Sequence, residues 1–243
     1  MAFVYIYNVL QIGNAAWNQY LKTTLEFTST QINLIYIASS VLLYLGIITY
    51  KYFMMNWSWR LVYVICTLLN GVFSALQILL ILGITFGIPN FAFALGDDAF
   101  AEFLAGVQFL PSTIMMVHLC PEGSEGASYA MFTTIHNSAG QVSRAISTHL
   151  LGIWDVSKDA LADHELTGMV NLALLTSIAQ LSGILLVRML PRTKDELFEL
   201  RDSEYGSSRT GGLIFLVITF ASILYAMIVG ILNVVVPGWS GES

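Results

Sequence analysis

Six long runs of the chain lack Asp, Glu, Lys and Arg, at 1–21, 27–50, 61–88, 103–119, 166–187 and 210–241, and a seventh, 127–154, carries a single charge, Arg144. About 20 mainly apolar residues cross a hydrocarbon core about 30 Å thick, so each run is of spanning length. The pattern predicts helices over 2–18, 31–50, 60–88, 100–119, 126–153, 167–190 and 211–236, and thus an all-α polytopic transmembrane bundle crossing the bilayer about seven times. Polar stretches at 18–30, 51–59, 89–99, 120–125, 155–166 and 191–211 are the predicted connectors. Residues 1–190 read as one six-helix transmembrane domain, 191–210 as a charged linker, and 211–243 as an additional transmembrane helix with a short tail.

Composition supports lipid as the surrounding solvent: 56% of residues are hydrophobic and 11% charged, against about 25% charged in ordinary soluble domains. If the connectors 51–59, 120–125 and 191–211 are cytosolic, that side holds Lys51, Arg60, Arg188, Arg192, Lys194, Arg201 and Arg209, and the other holds Lys22 and Lys158. This asymmetry follows the positive-inside rule. Asn56-Trp57-Ser58 matches the glycosylation acceptor pattern, which is used only on the opposite side, and reads as a chance match under this topology. Cys66 and Cys120 fall near the same face and read as reduced thiols. The histidines His118, His136, His149 and His164 lack metal-ligand spacing. No phosphate-binding Gly-rich loop, nucleophile elbow or basic nucleic-acid patch occurs, so the sequence predicts no enzyme, no cofactor and no nucleic-acid partner. The partner it implies is the lipid bilayer.

Arg144 lies near the middle of its span, and intramembrane Arg usually faces a cavity, a counter-charge or a bundle interior. At 100° per residue, Thr133, Asn137, Gln141, Arg144 and Thr148 share one stripe. Met131, Ile135, Ala139, Val142 and Ile146 form the opposite face, expected to meet lipid. Gly140, Ser143 and Ser147 are small enough for close helix packing. The stripe has two readings, a lining for a solute pathway or interhelical hydrogen bonding. A second stripe, Thr67, Asn70, Ser74 and Gln77, reads as packing between helices. In the fourth helix Gln108 is placed to line a cavity, Pro111 to open a local kink, and Glu102 to sit at the interface with Asp97 and Asp98 nearby.

The connector Cys120-Pro121-Glu122-Gly123-Ser124-Glu125-Gly126, preceded by Pro111 and Val117-His118-Leu119 and followed by Ala130, Asn137 and Gly140, resembles the signature loop of the folate-biopterin transporter family. That family is a branch of the major facilitator superfamily. The resemblance covers residues 1 to about 190 and implies the second six-helix half of a twelve-helix carrier, with an abrupt start at Met1 and a missing N-terminal half or second copy as partner. It implies secondary transport of a folate, a pterin or a related solute by alternating access about a midplane cavity. By the same resemblance Asn8, Tyr36, Gln108, Asn137, Gln141 and Arg144 are the candidate substrate-binding residues, Arg144 pairing with a solute carboxylate. Cys120, Pro121, Gly123, Glu125 and Gly126 would form a tight cytosolic loop, with Gly123 and Gly126 allowing the reversal. A non-transporting membrane scaffold or partner protein, or an incomplete gene model of a longer carrier, is the alternative.

Overall fold

The computed structural model describes residues 2–119, 123, 125–192, 196–199 and 209–236. Its elements are α1 (Ala2–Leu10), α2 (Trp17–Thr23), α3 (Ser29–Thr49) continuing into a wider turn over Tyr50–Met54, α4 (Trp59–Ile81), α5 (Asn90–Leu119), α6 (Glu125–Leu150), α7 (Lys158–Ala162), α8 (Thr167–Ser182) tightening into a 3₁₀ stretch over Gly183–Met189, and α9 (Arg209–Val235). Among the described residues every regular element is helical. Five segments are long and apolar enough to cross a membrane: Ser29–Met54, Trp59–Ile81, Asn90–His118, Thr167–Met189 and Arg209–Val235. The chain is therefore an all-α polytopic bundle.

Local chemistry sets several boundaries. The Thr28 side chain accepts from the Gln31 N–H while the Gln31 side chain accepts from the Thr28 N–H, a reciprocal cap that starts α3. Helix α4 stops at Ile81, short of the expected 88, because Gly83 and Gly87 take positive φ angles in a turn. The expected connector 89–99 is instead mostly helix: α5 begins at Asn90, so Asp97 and Asp98 stand two turns inside it. The connector 155–166 contains α7, capped by Ser157 accepting from the Ala160 N–H.

Helices α3 and α5 make the most extensive contact between any two elements, and two glycines permit their close approach. A Cβ on Gly46 would come within 2.1 Å of the Phe103 carbonyl oxygen, and one on Gly106 within 2.1 Å of the Leu43 carbonyl oxygen. Small residues at such crossings let two backbones meet. Apolar packing collects at two ends. One cluster joins Phe3, Tyr7, Tyr50, Trp59, Tyr63, Met115, Phe132 and Leu190; the other joins Trp17, Tyr20, Ile35, Leu80, Leu161, Met169 and Leu172. Residues 11–15 lie in the chain between the two.

Three further expectations are corrected. The face of α6 expected to meet lipid is partly internal, since Ile135 and Ala139 are fully buried and pack within the bundle, while Met131 remains exposed. The described part of the segment read as a charged linker is docked: Leu197 is buried in the first cluster and Glu196 pairs with Arg60 at 3.5 Å. Gly123 has a positive φ of 82°, as a tight reversal requires, but Gly126 lies inside the first turn of α6. Cys120, Pro121, Glu122 and Ser124 lie outside the described residues.

Candidate functional site

The first predicted helix, 2–18, is not continuous. Alpha-helical structure ends at Leu10 and resumes at Trp17, leaving 11–16 unwound. Unwound backbone buried in a bundle is tolerated where other groups satisfy its carbonyls, and here side chains from two neighbouring helices do so. Ser143 Oγ on α6 donates to the Gln11 carbonyl at 2.8 Å and Ser147 Oγ to the Gly13 carbonyl at 2.5 Å. From α8, Gln180 Nε2 donates to the Ile12 carbonyl at 2.8 Å. Asn14 turns its own side chain back, its Oδ1 accepting from the Ala16 N–H at 3.0 Å. The small residues read as packing positions on α6 thus hold the break open by hydrogen bonding.

Three cavities converge on this break. The first, about 410 Å³, is lined by Tyr7, Asn8, Gln11, Asn70, Gln108 and His136 among others. Tyr7 organises its wall: its hydroxyl meets Thr67 Oγ1 at 2.9 Å and accepts from Gln108 Nε2 at 2.9 Å. The second, about 520 Å³, runs along α6 past Asn8, Gln11, Gly140, Arg144 and Thr148. The third, about 340 Å³, is acidic, with Asp97, Asp98 and Glu102 facing Asn14, Asn70 and Gln77. Four buried side-chain atoms among the described residues lack a hydrogen-bond partner; three of them, Gln11 Nε2, His136 Nδ1 and Asp97 Oδ1, belong to residues lining these cavities. Buried polar groups are nearly always paired, so this concentration makes the three cavities the candidate site.

The structure brings together part of the expected set. Asn8 lines the first two cavities, its side chain donating to the Val4 carbonyl at 2.7 Å. Gln108 lines the first and Arg144 the second. Arg144 is exposed and makes no ion pair with a described residue. Asn137 and Gln141 are also exposed on α6, on the same outward stripe, and line none of the three cavities. Tyr36 stands apart: it is 51% exposed on α3, donates to Asn18 Oδ1 at 2.9 Å, and is absent from all three linings. Its hydroxyl serves a contact with α2 rather than any of these three cavities.

Sequence reasoning missed Gln11, Asn14, His136 and the Asp97–Asp98 pair. Gly13-Asn14 inside an apolar run is the signal that could have revealed the break, because both residues favour turns over helix interiors. The second stripe was read only as packing. Asn70 does bond Gln180 across helices at 3.1 Å, yet Asn70, Ser74 and Gln77 also line the acidic cavity. Among the described residues no group of three or more His, Cys, Asp or Glu is placed to hold a metal ion.

Comparison with known proteins supplies what geometry alone does not. The sequence profile of the BT1 family matches residues 1–209. A Synechocystis protein named folate-biopterin transporter is 24% identical over 206 residues, covering 80% of this chain and 40% of the relative. A Plasmodium falciparum protein named folate transporter 1 is 26% identical over 133 residues, covering 54% of this chain and 26% of the relative. The chain thus spans less than half the length of these relatives. No solved structure gives a significant match.

Proposed function

As the chain belongs to the BT1 family, we propose that it forms one six-helix half of a secondary transporter for a folate, a pterin or a related solute, with α9 added beyond that half. The break between α1 and α2 carries this reading. Discontinuous helices at the midplane are where secondary carriers bind solute and coupling ion, and here two polar cavities and an acidic one meet at such a break. The outward stripe of Asn137, Gln141 and Arg144 then faces the complementary half, and alternating access is the rocking of the two halves about the cavities between them.

Within this reading the solute site comprises Asn8, Gln11, Gln108, His136 and Arg144. Gln11 and His136 bring unsatisfied polar atoms, Gln108 and Asn8 bring amides, and Arg144 brings the positive charge that a solute carboxylate needs. A guanidinium–carboxylate pair in a low-dielectric site makes charge-assisted, often bidentate hydrogen bonds.

The test is uptake of labelled folate and of a labelled pterin by cells lacking their own uptake route. The cells express this chain alone, or joined behind the first half of the Synechocystis relative. Saturable uptake by the joined protein, reduced at least about tenfold for folate by Arg144→Gln at equal membrane abundance, is expected from the loss of one charge-assisted pair worth about 1.5–3 kcal/mol. No uptake from a correctly inserted joined protein would favour a non-transporting scaffold.

A further inference from the structure

Among the described residues the first cavity is lined by four side-chain amides, and the protein's own bonds fix how three of them face a guest. Gln180 Nε2 donates to the Ile12 carbonyl, which sets the orientation of that amide, so its Oε1 accepts from Asn70 Nδ2 at 3.1 Å. Asn8 Nδ2 donates to the Val4 carbonyl at 2.7 Å, and Gln108 Nε2 to the Tyr7 hydroxyl at 2.9 Å. Asn8, Asn70 and Gln108 thus have their nitrogens engaged, and no described residue donates to their amide oxygens. The fourth amide and the imidazole differ, since Gln11 Nε2 and His136 Nδ1 are buried without a partner.

These polar groups stand among apolar walls. Leu43, Ile47, Leu104 and Phe109 line the same cavity, as do the Tyr7 and Tyr63 rings, which meet edge to face with centroids 5.2 Å apart. Among the described residues its lining holds no Asp, Glu, Lys or Arg. Small-molecule pockets pair apolar walls with a few placed polar groups in just this way. Three acceptor oxygens and one amide N–H suit an uncharged flat ring whose edge carries N–H donors beside a carbonyl. A wholly apolar guest would leave all of them unmatched, and a carboxylate would face the amide oxygens. The second cavity is the complement: among the described residues its lining holds one charged side chain, Arg144, and no acid. Asn8 and Gln11 belong to both linings, so the two spaces adjoin at those side chains.

We propose that the first cavity is a ring subsite for an uncharged heteroaromatic bearing amino and oxo groups, and that the second is a separate acid subsite. A solute with both parts lies across Asn8 and Gln11, its ring edge on Asn70, Gln108 and His136 and its carboxylate on Arg144. This division rests on the solute-carrier reading given above. A ring without an acid tail is then held by the first cavity alone, and Arg144 selects between tailed and tailless solutes without touching the ring. The ring subsite is also tied to the break, because the Asn70 oxygen is presented by the same Gln180 that holds the Ile12 carbonyl.

Both subsites are lined by this chain, so equilibrium dialysis of the purified chain in lipid nanodiscs tests them with two fragments. Labelled unconjugated pterin is the ring probe, and labelled p-aminobenzoylglutamate, which has the acid tail and no pterin ring, is the acid probe. Pterin should stay bound at saturating p-aminobenzoylglutamate, because the two fragments occupy different spaces. His136→Phe removes the unpartnered Nδ1 and keeps a flat ring; it should weaken pterin binding about tenfold, as loss of one hydrogen bond does, and spare the acid probe. Arg144→Gln should do the reverse. Mutual displacement of the fragments from the wild type would overturn the division with no variant needed, as would a wild type that binds no pterin. Equal loss of both fragments in either folded variant would also overturn it. Folate uptake by the joined protein together with mutual displacement would keep the transport reading and sink the two subsites, whereas independent binding of the fragments without uptake would do the opposite.

Discussion

Ser143 and Ser147 bear on the site through single hydrogen bonds, each to a carbonyl that the break in α1 leaves without a helical partner. Removing one donor leaves a buried acceptor unsatisfied at a cost of about 1–3 kcal/mol. Ser147→Ala should therefore lower the denaturation midpoint of the chain in nanodiscs. Ser147→Thr, which keeps the hydroxyl, should lower it less, and equal losses in the two variants would show that the bond contributes nothing. Outside the membrane, the Ser157 hydroxyl and N–H both donate to Asp155 Oδ1 and hold its carboxyl below the usual carboxylate range. The folded-state value is depressed, so this contribution is present above the unfolded value and fades as the pH falls through the folded one. Ser157→Ala should move the Asp155 titration upward toward the ordinary range, measured by NMR; an unmoved titration would contradict the assignment.

Among the elements, α3 and α5 show most plainly how composition sets packing. Gly46 and Gly106 each face the backbone of the opposite helix, with no flexible side chain in between to yield. Overpacking of this kind typically costs about 1–3 kcal/mol. Gly46→Ala and Gly106→Ala should each reduce the folded fraction recovered in detergent, whereas Gly96→Ala, where a Cβ meets nothing within 4 Å, should not. Equal recovery in all three would mean that the crossing is looser than described. Spanning helices were legible in the sequence because charge-free runs of this length have few other physical uses. The break in α1 was harder to read, since hydropathy is blind to which backbone carbonyls a neighbour can satisfy, and those satisfying Gln11, Ile12 and Gly13 lie more than 130 residues away in the chain. The start of α5 was missed for a related reason. Asp97 and Asp98 look like loop residues until the cavity that receives them is known.

At the scale of the whole molecule, α6 has one face sealed against the bundle by Phe132, Ile135 and Ala139 and another that turns Asn137, Gln141 and Arg144 outward. Sequence periodicity found the polar stripe but could not tell pathway from packing, because both use the same residue types at the same spacing. Among the described residues the exposed side chains of Asn137, Gln141 and Arg144 make no hydrogen bond or ion pair that holds this half together, which leaves lipid or a hydrated interface as their surroundings. Lipid is an unfavourable neighbour for a guanidinium. Cysteine accessibility settles this most directly. Asn137→Cys, Gln141→Cys and Arg144→Cys, each in a background with Cys66 and Cys120 replaced by serine, are treated in membranes with a polar, membrane-impermeant thiol reagent. Ile37→Cys, on the exposed apolar face of α3, serves as the lipid-facing reference. A hydrated solute route predicts fast labelling at all three stripe positions, slowed by folate, and little at the reference. Labelling of the stripe as slow as that of the reference, with or without folate, would contradict the account.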